Sequence, residues 1–395
     1  MMPEPYQAQV LHTPFHSRTA ALCRANEWSS WAGYTTVKIF TSVEQEYFAI
    51  RNAAALFDLS PMVKYAIAGA DASRFLNRLL TRDIGKLKPG RVGYAVWCND
   101  DGMVIDDGTV FRFGDNEFRL YSQERHLPWL LDTAIGYQVS ITDISETVAG
   151  LALQGPTSCA VLKALGLEGV ENLAPYAMTR FDLEGHGLDV SRTGFTGDLG
   201  YELWIEPAAA ERLWDRLMEA GRLHGIRPMG SAALEMARIE AGFIAANIEF
   251  FAGNLATRPD RLRSPFELAL GWLVDFKKGQ FVGRRALLRE RETGSRYALV
   301  GLDIDGNKPA TDAFIYRGKR SQAGVVTSAM WSPSAKRNIA LASLRTPYHQ
   351  PGHTLWADVY FQRELKWERI AAPCRVVDKR FFNPPRRWAV PAGDR

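Results

Sequence analysis

VGYAVWCNDDGMVIDDGTVFRFGDNEFRLYS, residues 92–122, decides the fold class. Three runs rich in β-branched and aromatic residues are separated by NDDG and FGDN. Gly, Asn and Asp in those breaks tolerate the backbone angles that tight hairpins need. Connections this short join antiparallel neighbours, because parallel strands require a long crossover. The middle run, GMVIDDG, ends on two acids, Asp106 and Asp107. Side chains alternate across a strand, so one of the pair faces inward. Burying even a neutral polar group unpaired costs roughly 2–7 kcal/mol, and a charge costs more. The plainer reading is a sheet end where both acids face water beside Gly108.

Working outward, VEQEYFAIRNAAALFDLS places Tyr47, Ile50 and Ala54 at three- and four-residue steps, with Leu56 two further on, which predicts a helix. VKYAIAG alternates as a strand, and DASRFLNRLLT reads as a helix with Asp71 as its N-cap. Residues 1–45 read as irregular and aromatic, with Trp28, Trp31 and Tyr34 close together. Downstream, LALQGPTSCAVLKAL is a strand, a Gly-Pro break and a helix. AAAERLWDRLMEAGRLHG is an amphipathic helix ended by glycine, and GSAALEMARIEAGF is another helix. Hairpins interspersed with helices predict an α+β protein rather than a parallel nucleotide-binding sheet.

A boundary is expected near residues 286–296, where the chain is charged and ends in turn residues. Beyond it YALVGLDID, AGVVTSAMWS, NIALASL and TLWADVYF are short, closely spaced strands, which predict a small β-barrel. The final FFNPPRRWAVPAGDR is interrupted by proline and reads as a tail or docking arm. The expected division is 1–285, 286–380 and 381–395.

The 395 residues favour two or three domains, and 46% hydrophobic with 23% charged residues describes a globular chain with ample core. Lys and Arg number 48 against 44 Asp and Glu. That balance demands no nucleic acid, yet permits a small acidic ligand held by local cations. Cys23, Cys98, Cys159 and Cys374 lack zinc-ligand spacing and are expected as reduced thiols. With no signal pattern and no apolar run of membrane length, the expectation is a cytoplasmic protein without a membrane partner. GxGxxG, GxxxxGK[ST] and GxSxG are all absent. His349 and His353 are separated by Pro351 and Gly352 and cannot share a helical face, so no metal site is expected.

Two further charges pose the problem of Asp106 and Asp107 again. RTGFTGDLGYELWIE, residues 192–206, is a glycine-rich loop feeding a strand that carries Glu202 near its start. Arg238 lies within ARIEAG, on the helix read from GSAALEMARIEAGF.

These residues converge on a family. ALFDLS (55–60), GYAVWCNDDGMVIDD (93–107), LQGP (153–156), SRTGFTGDLGYEL (191–203), ARIEAG (237–242), SPFELALGWLVDF (264–276), FVGRRAL (281–287) and TSAMWSPSAKRNIALA (327–342) resemble the aminomethyltransferases, or T-proteins, of the glycine cleavage system and their relatives. The motifs stand in family order and cover nearly the whole chain after about residue 33. The resemblance implies a three-subdomain cloverleaf around a central tetrahydrofolate site, closed by the C-terminal barrel. It implies that Asp107 is the acid beside the reacting folate nitrogens and that Glu202 binds the pterin ring. A carboxylate there accepts two hydrogen bonds from the amine edge of the ring. Tyr94, Phe111, Tyr176, Phe195 and Arg238 complete the implied folate-binding set.

The departures point away from ordinary glycine cleavage. Phe195 and Phe111 stand where tyrosines are common, Leu234 replaces the arginine of the family's ARD, and GYTTV (33–37) replaces GWxxP. ARIEAG and SPFELALGWLVDF also resemble tetrahydrofolate-dependent demethylases, of the dimethylsulfoniopropionate or methoxy-aromatic type. The expected function is therefore transfer of a methyl group from an S-, O- or N-methyl donor to N5 of tetrahydrofolate. Trp28, Trp31 and Tyr34 are a candidate cation–π cage for an onium donor, or simply packing. The alternatives are a T-protein that takes an aminomethyl group from a lipoyl carrier protein, and a non-catalytic folate-binding module.

Overall fold

The computed structural model describes residues 10–256, 258–318 and 321–391. The 92–122 stretch forms the expected strands Arg91–Cys98, Val104–Arg112 and Glu117–Ser122. They continue through Val63–Ala68 to Ser140–Asp143 as a five-stranded antiparallel sheet. Helix Ala72–Leu79 covers one face, burying Phe75, Leu76 and Leu79 against Val63, Ile67, Trp97 and Leu120. Asp71 does stand at the N-cap, but its side chain caps nothing. Its carboxylate instead accepts the Gln138 N–H at 3.0 Å and pairs with Arg74, tying the helix start to a neighbouring loop.

A six-stranded sheet runs in the order Met178–Leu183, His186–Ser191, Gly200–Ile205, Ala149–Gln154, Ala54–Asp58, Ile226–Pro228. Helices Ser158–Ala164 and Ala210–Ala220 bury its outer face around Leu151, Leu203, Leu213 and Leu217. Its inner face meets the five-stranded sheet and helix Ser231–Ala241 through Ala152, Trp204, Phe111, Tyr121, Ala233 and Ala237. The helix expected to extend through Leu56 ends at Asn52, and Ala54–Asp58 is a strand. Pairing with Ala149–Gln154 and Ile226–Pro228, both far away in sequence, overrides the local spacing. Nor is the N-terminal region irregular. Helix His16–Leu22 is followed by the hairpin Glu27–Trp31 and Tyr34–Ile39.

Strands between Tyr297 and Val377 close into a six-stranded barrel, ordered Tyr297–Ile304, Arg337–Arg345, Ser321–Ser332, Phe314–Arg317, Leu355–Arg363, Lys366–Val377. Ile239, Phe250, Leu268, Phe281, Leu299 and Ile339 join the barrel to the helix and the first sheet. After the barrel the chain returns across the six-stranded unit. Arg386 grips buried Asp198 with two bonds of 2.6 and 2.7 Å, and Phe382 N–H donates to the Glu240 carbonyl at 2.9 Å. The described residues include no helix long and apolar enough to cross a membrane.

Candidate active site

All three units contribute to one cavity of about 1430 Å³. Tyr94 and Arg82 come from the five-stranded unit, Tyr176 precedes the edge strand of the six-stranded unit, and Val376 and Lys379 close the barrel side. Aromatic walls are provided by Tyr94, with Trp272 at 6.2 Å between ring centres, and by Tyr176, with Trp388 at 6.4 Å. The cations are unevenly balanced. Lys86 is paired with Asp83 and Asp275, and Arg380 with Asp378. Arg82, Lys88, Arg91 and Arg387 have no carboxylate partner among the described residues. Flat aromatic surfaces beside unpaired cations suit a ligand with a planar ring system at one end and carboxylates at the other.

Asp107 adjoins this cavity through Tyr94. The Tyr94 hydroxyl donates to Asp107 Oδ2 at 2.6 Å. Burial raises the Asp107 carboxyl well above the ordinary carboxylate range, and the charge of Asp106 adds to the rise. The Tyr94 bond works against both. Burial likewise lifts the Tyr94 phenol, with Asp107 reinforcing it, so the hydroxyl keeps its proton and acts as a donor. An acid that changes charge close to working pH can both accept and return a proton.

Glu202 belongs to the strand Gly200–Ile205, where it pairs with Ala152 and Ser191. Thr193 donates to Glu202 Oε2 at 2.7 Å, and Ser191 lies 2.7 Å from Thr193. Burial pushes the carboxyl up to about 7, while the Thr193 bond opposes it. Oε1 has no partner among the described residues. Glu202 itself is not among the residues that line the cavity.

Comparison with known proteins agrees with this geometry. Residues 11–278 match the GCVT N-terminal domain, and 298–382 match the glycine cleavage T-protein C-terminal barrel domain. The chain belongs to the aminomethyltransferase family. An aminomethyltransferase of Caldanaerobacter subterraneus is 34% identical over 358 residues, spanning 89% of this chain and 91% of that protein. A trimethylamine-oxide aldolase of Ruegeria pomeroyi is 35% identical over 365 residues, covering 89% of this chain but 45% of its own length. The crystal structure of aminomethyltransferase T from Bartonella henselae superposes with a TM-score of 0.82 over 95% of this chain and 99% of that one, at 24% identity. Aminomethyltransferases are tetrahydrofolate-dependent one-carbon transferases, and the aromatic and cationic walls fit that cosubstrate.

The other residues expected at an aminomethyltransferase folate site are placed unevenly. Tyr94 and Tyr176 line the cavity. Phe195 is one ring removed, stacked 5.5 Å from cavity-lining Phe243. Phe111 is buried, 4.6 Å from Tyr121 in the inter-sheet core. Arg238 is fully buried, and all five of its N–H groups are used within the protein. They reach Glu235, Glu249, the Phe243 carbonyl and Ser328, clamping the helix to the barrel. Arg238 is therefore structural in this arrangement and has no donor left for folate.

Trp28, Trp31 and Tyr34 do not form a ring cage among the described residues. Trp28 leans on His16 at 5.5 Å, Trp31 stacks on Phe57 at 6.3 Å, and Tyr34 is buried. Trp31 and Tyr34 pair across the hairpin while Trp28 pairs with Val37, and no ring contact joins any two of the three among the described residues. The residues that sequence reasoning missed are the cations and Trp388. A basic run, RDIGKLKPGR at 82–91, was visible in the sequence. Nothing local showed that Arg387 and Trp388, in the supposed tail, return to the same cavity.

Proposed function

We propose that this protein transfers a one-carbon unit from an aminomethyl donor to tetrahydrofolate, releasing ammonia. The observation that carries the reading is Asp107, held by the Tyr94 hydroxyl at the edge of a cavity with aromatic and cationic walls. Relatives of nearly the same length named aminomethyltransferase favour the aminomethyl donor over the methyl donor expected from the departures at Phe195, Phe111 and Leu234. In the family a lipoyl carrier protein presents that donor, and it is the partner proposed here.

Tetrahydrofolate supplies the nucleophilic nitrogen that receives the carbon. The carbon gains two C–N bonds to the cosubstrate as its bonds to the donor's nitrogen and sulfur break. Asp107 takes up one proton lost from the cosubstrate nitrogens and returns it to the departing ammonia, and the other passes to the carrier's sulfur, which leaves as a thiol. Tyr94 fixes the carboxylate for both steps. Arg82, Lys88, Arg91 and Arg387 hold the carboxylate end of the cosubstrate, and Glu202 holds the amine edge of its ring through the free Oε1. Binding both partners in one cavity supplies proximity, which contributes several kcal/mol toward the barrier.

A small amine or N-methyl donor is the second reading, favoured by the match to the trimethylamine-oxide aldolase. Incubation with tetrahydrofolate and either a glycine-loaded lipoyl carrier or a panel of N-methyl, sulfonium and methoxy-aromatic compounds distinguishes the two. Methylene-tetrahydrofolate and ammonia from the carrier support the proposal. Methyl-tetrahydrofolate from a small donor, with the carrier inert, overturns it.

A further inference from the structure

Behind Asp107, on the opposite face of its strand, Asp106 is completely buried. Its carboxylate accepts three bonds. The Asp107 N–H reaches Oδ1 at 2.8 Å, the Glu124 N–H reaches Oδ2 at 3.2 Å, and His126 Nε2 lies 3.0 Å from the same oxygen. His126 is equally constrained. Its own N–H donates to the Tyr65 hydroxyl at 2.8 Å, and its ring meets Trp97 edge-on at 5.8 Å. A ring nitrogen facing a carboxylate carries the proton, so Nε2 is the donor.

A carboxylate buried inside a sheet is a costly feature to keep, and here three donors are spent on it. Its geometry accounts for it, since one oxygen grips the backbone N–H of the residue assigned to proton transfer. Resting on the one-carbon reading above, we propose that Asp106, anchored by His126, is a positioning residue that fixes the aim of Asp107 and governs when Asp107 carries a proton. The other groups facing Asp107 are Tyr94 from the adjacent strand and Glu249 from the turn after helix Ser231–Ala241. Glu249 is held by Arg238, Thr327 and Ser328. Glu124 and His126 stand behind Asp106. No Lys or Arg is bonded to either Asp106 or Asp107 among the described residues, and Asp106 is the acid adjoining Asp107 in the chain.

The test needs no donor and no turnover, so it is independent of the reaction assignment. Carboxyl-carbon NMR of aspartate-labelled protein follows each acid with pH, and Asp107→Asn assigns the resonances. Asp106→Asn should lower the Asp107 midpoint by about one pH unit or more. His126→Gln, which keeps a donor near the Nε2 position, should leave it within about half a unit. In the unaltered protein, the Asp106 resonance should show an inflection at the Asp107 midpoint. An unmoved Asp107 midpoint in Asp106→Asn overturns the proposal. Should that variant not fold, an Asp106 resonance blind to the ionisation of Asp107 overturns it equally.

Discussion

The Tyr94 hydroxyl donates to Asp107 Oδ2 at 2.6 Å across a hairpin in which Tyr94 pairs with Thr109 and Asp107 with Val96. The two are diagonal neighbours on one sheet face, a spacing that long side chains bridge. The bond favours the ionised carboxylate against burial and the charge of Asp106. Tyr94→Phe removes it, so Asp107 should keep its proton to higher pH. The limb of the kcat/KM profile governed by Asp107 should move upward by about one unit or less. A limb that stays in place would detach Tyr94 from the ionisation of Asp107.

Glu202 is tested by binding alone. Glu202→Ala removes the acceptor assigned to the ring amine and should weaken the affinity for 5-formyl-tetrahydrofolate by about tenfold or more, measured by calorimetry. An unaltered dissociation constant would end that assignment.

The same residue makes stability depend on pH. Burial raises the folded-state pKa of Glu202 to about 7, above its ordinary value, so the folded protein binds the proton more tightly than the unfolded chain. Its favourable contribution is complete below the unfolded pKa and is lost as pH rises through about 7. Glu202→Gln should therefore gain stability relative to the parent, by about 1–3 kcal/mol, between acidic and mildly alkaline pH in urea unfolding. A difference that stays constant across that range would contradict the linkage.

Arg386 anchors the returning C-terminal segment. Arg386→Ala takes two charge-assisted bonds from buried Asp198, leaving it the Leu199 N–H at 2.8 Å and Arg51 at 3.7 Å. We expect a loss of about 2 kcal/mol in stability and weaker folate binding, because Arg387 and Trp388 lose their place at the cavity. Full affinity in this variant would show that the segment is not needed for the site.

How much could be read from the chain depended on the distance over which each feature is determined. The 92–122 hairpins were legible because NDDG and FGDN carry their own turn chemistry. Ala54 continues the helical steps from Tyr47 and Ile50 but also stands two residues from Leu56, a strand step, and strands near residues 150 and 226 decided between them. The inward acid of the pair is Asp106, which alternation required of one acid without saying which. Asp107, Tyr94 and Glu202 were marked as candidates through the family motifs. Arg238 looked like a ligand contact because a helix pattern does not reveal Glu249 or Ser328, which occupy its guanidinium in the folded protein.

The most direct test of the account is single-turnover transfer by Asp107→Asn, with folate affinity measured on the same sample. The amide keeps the shape and the Tyr94 contact but cannot serve as the base. The account predicts 5-formyl-tetrahydrofolate affinity close to that of the parent and one-carbon transfer slowed by about 10²–10⁴-fold. Transfer at the parental rate, with folate bound normally, would contradict it.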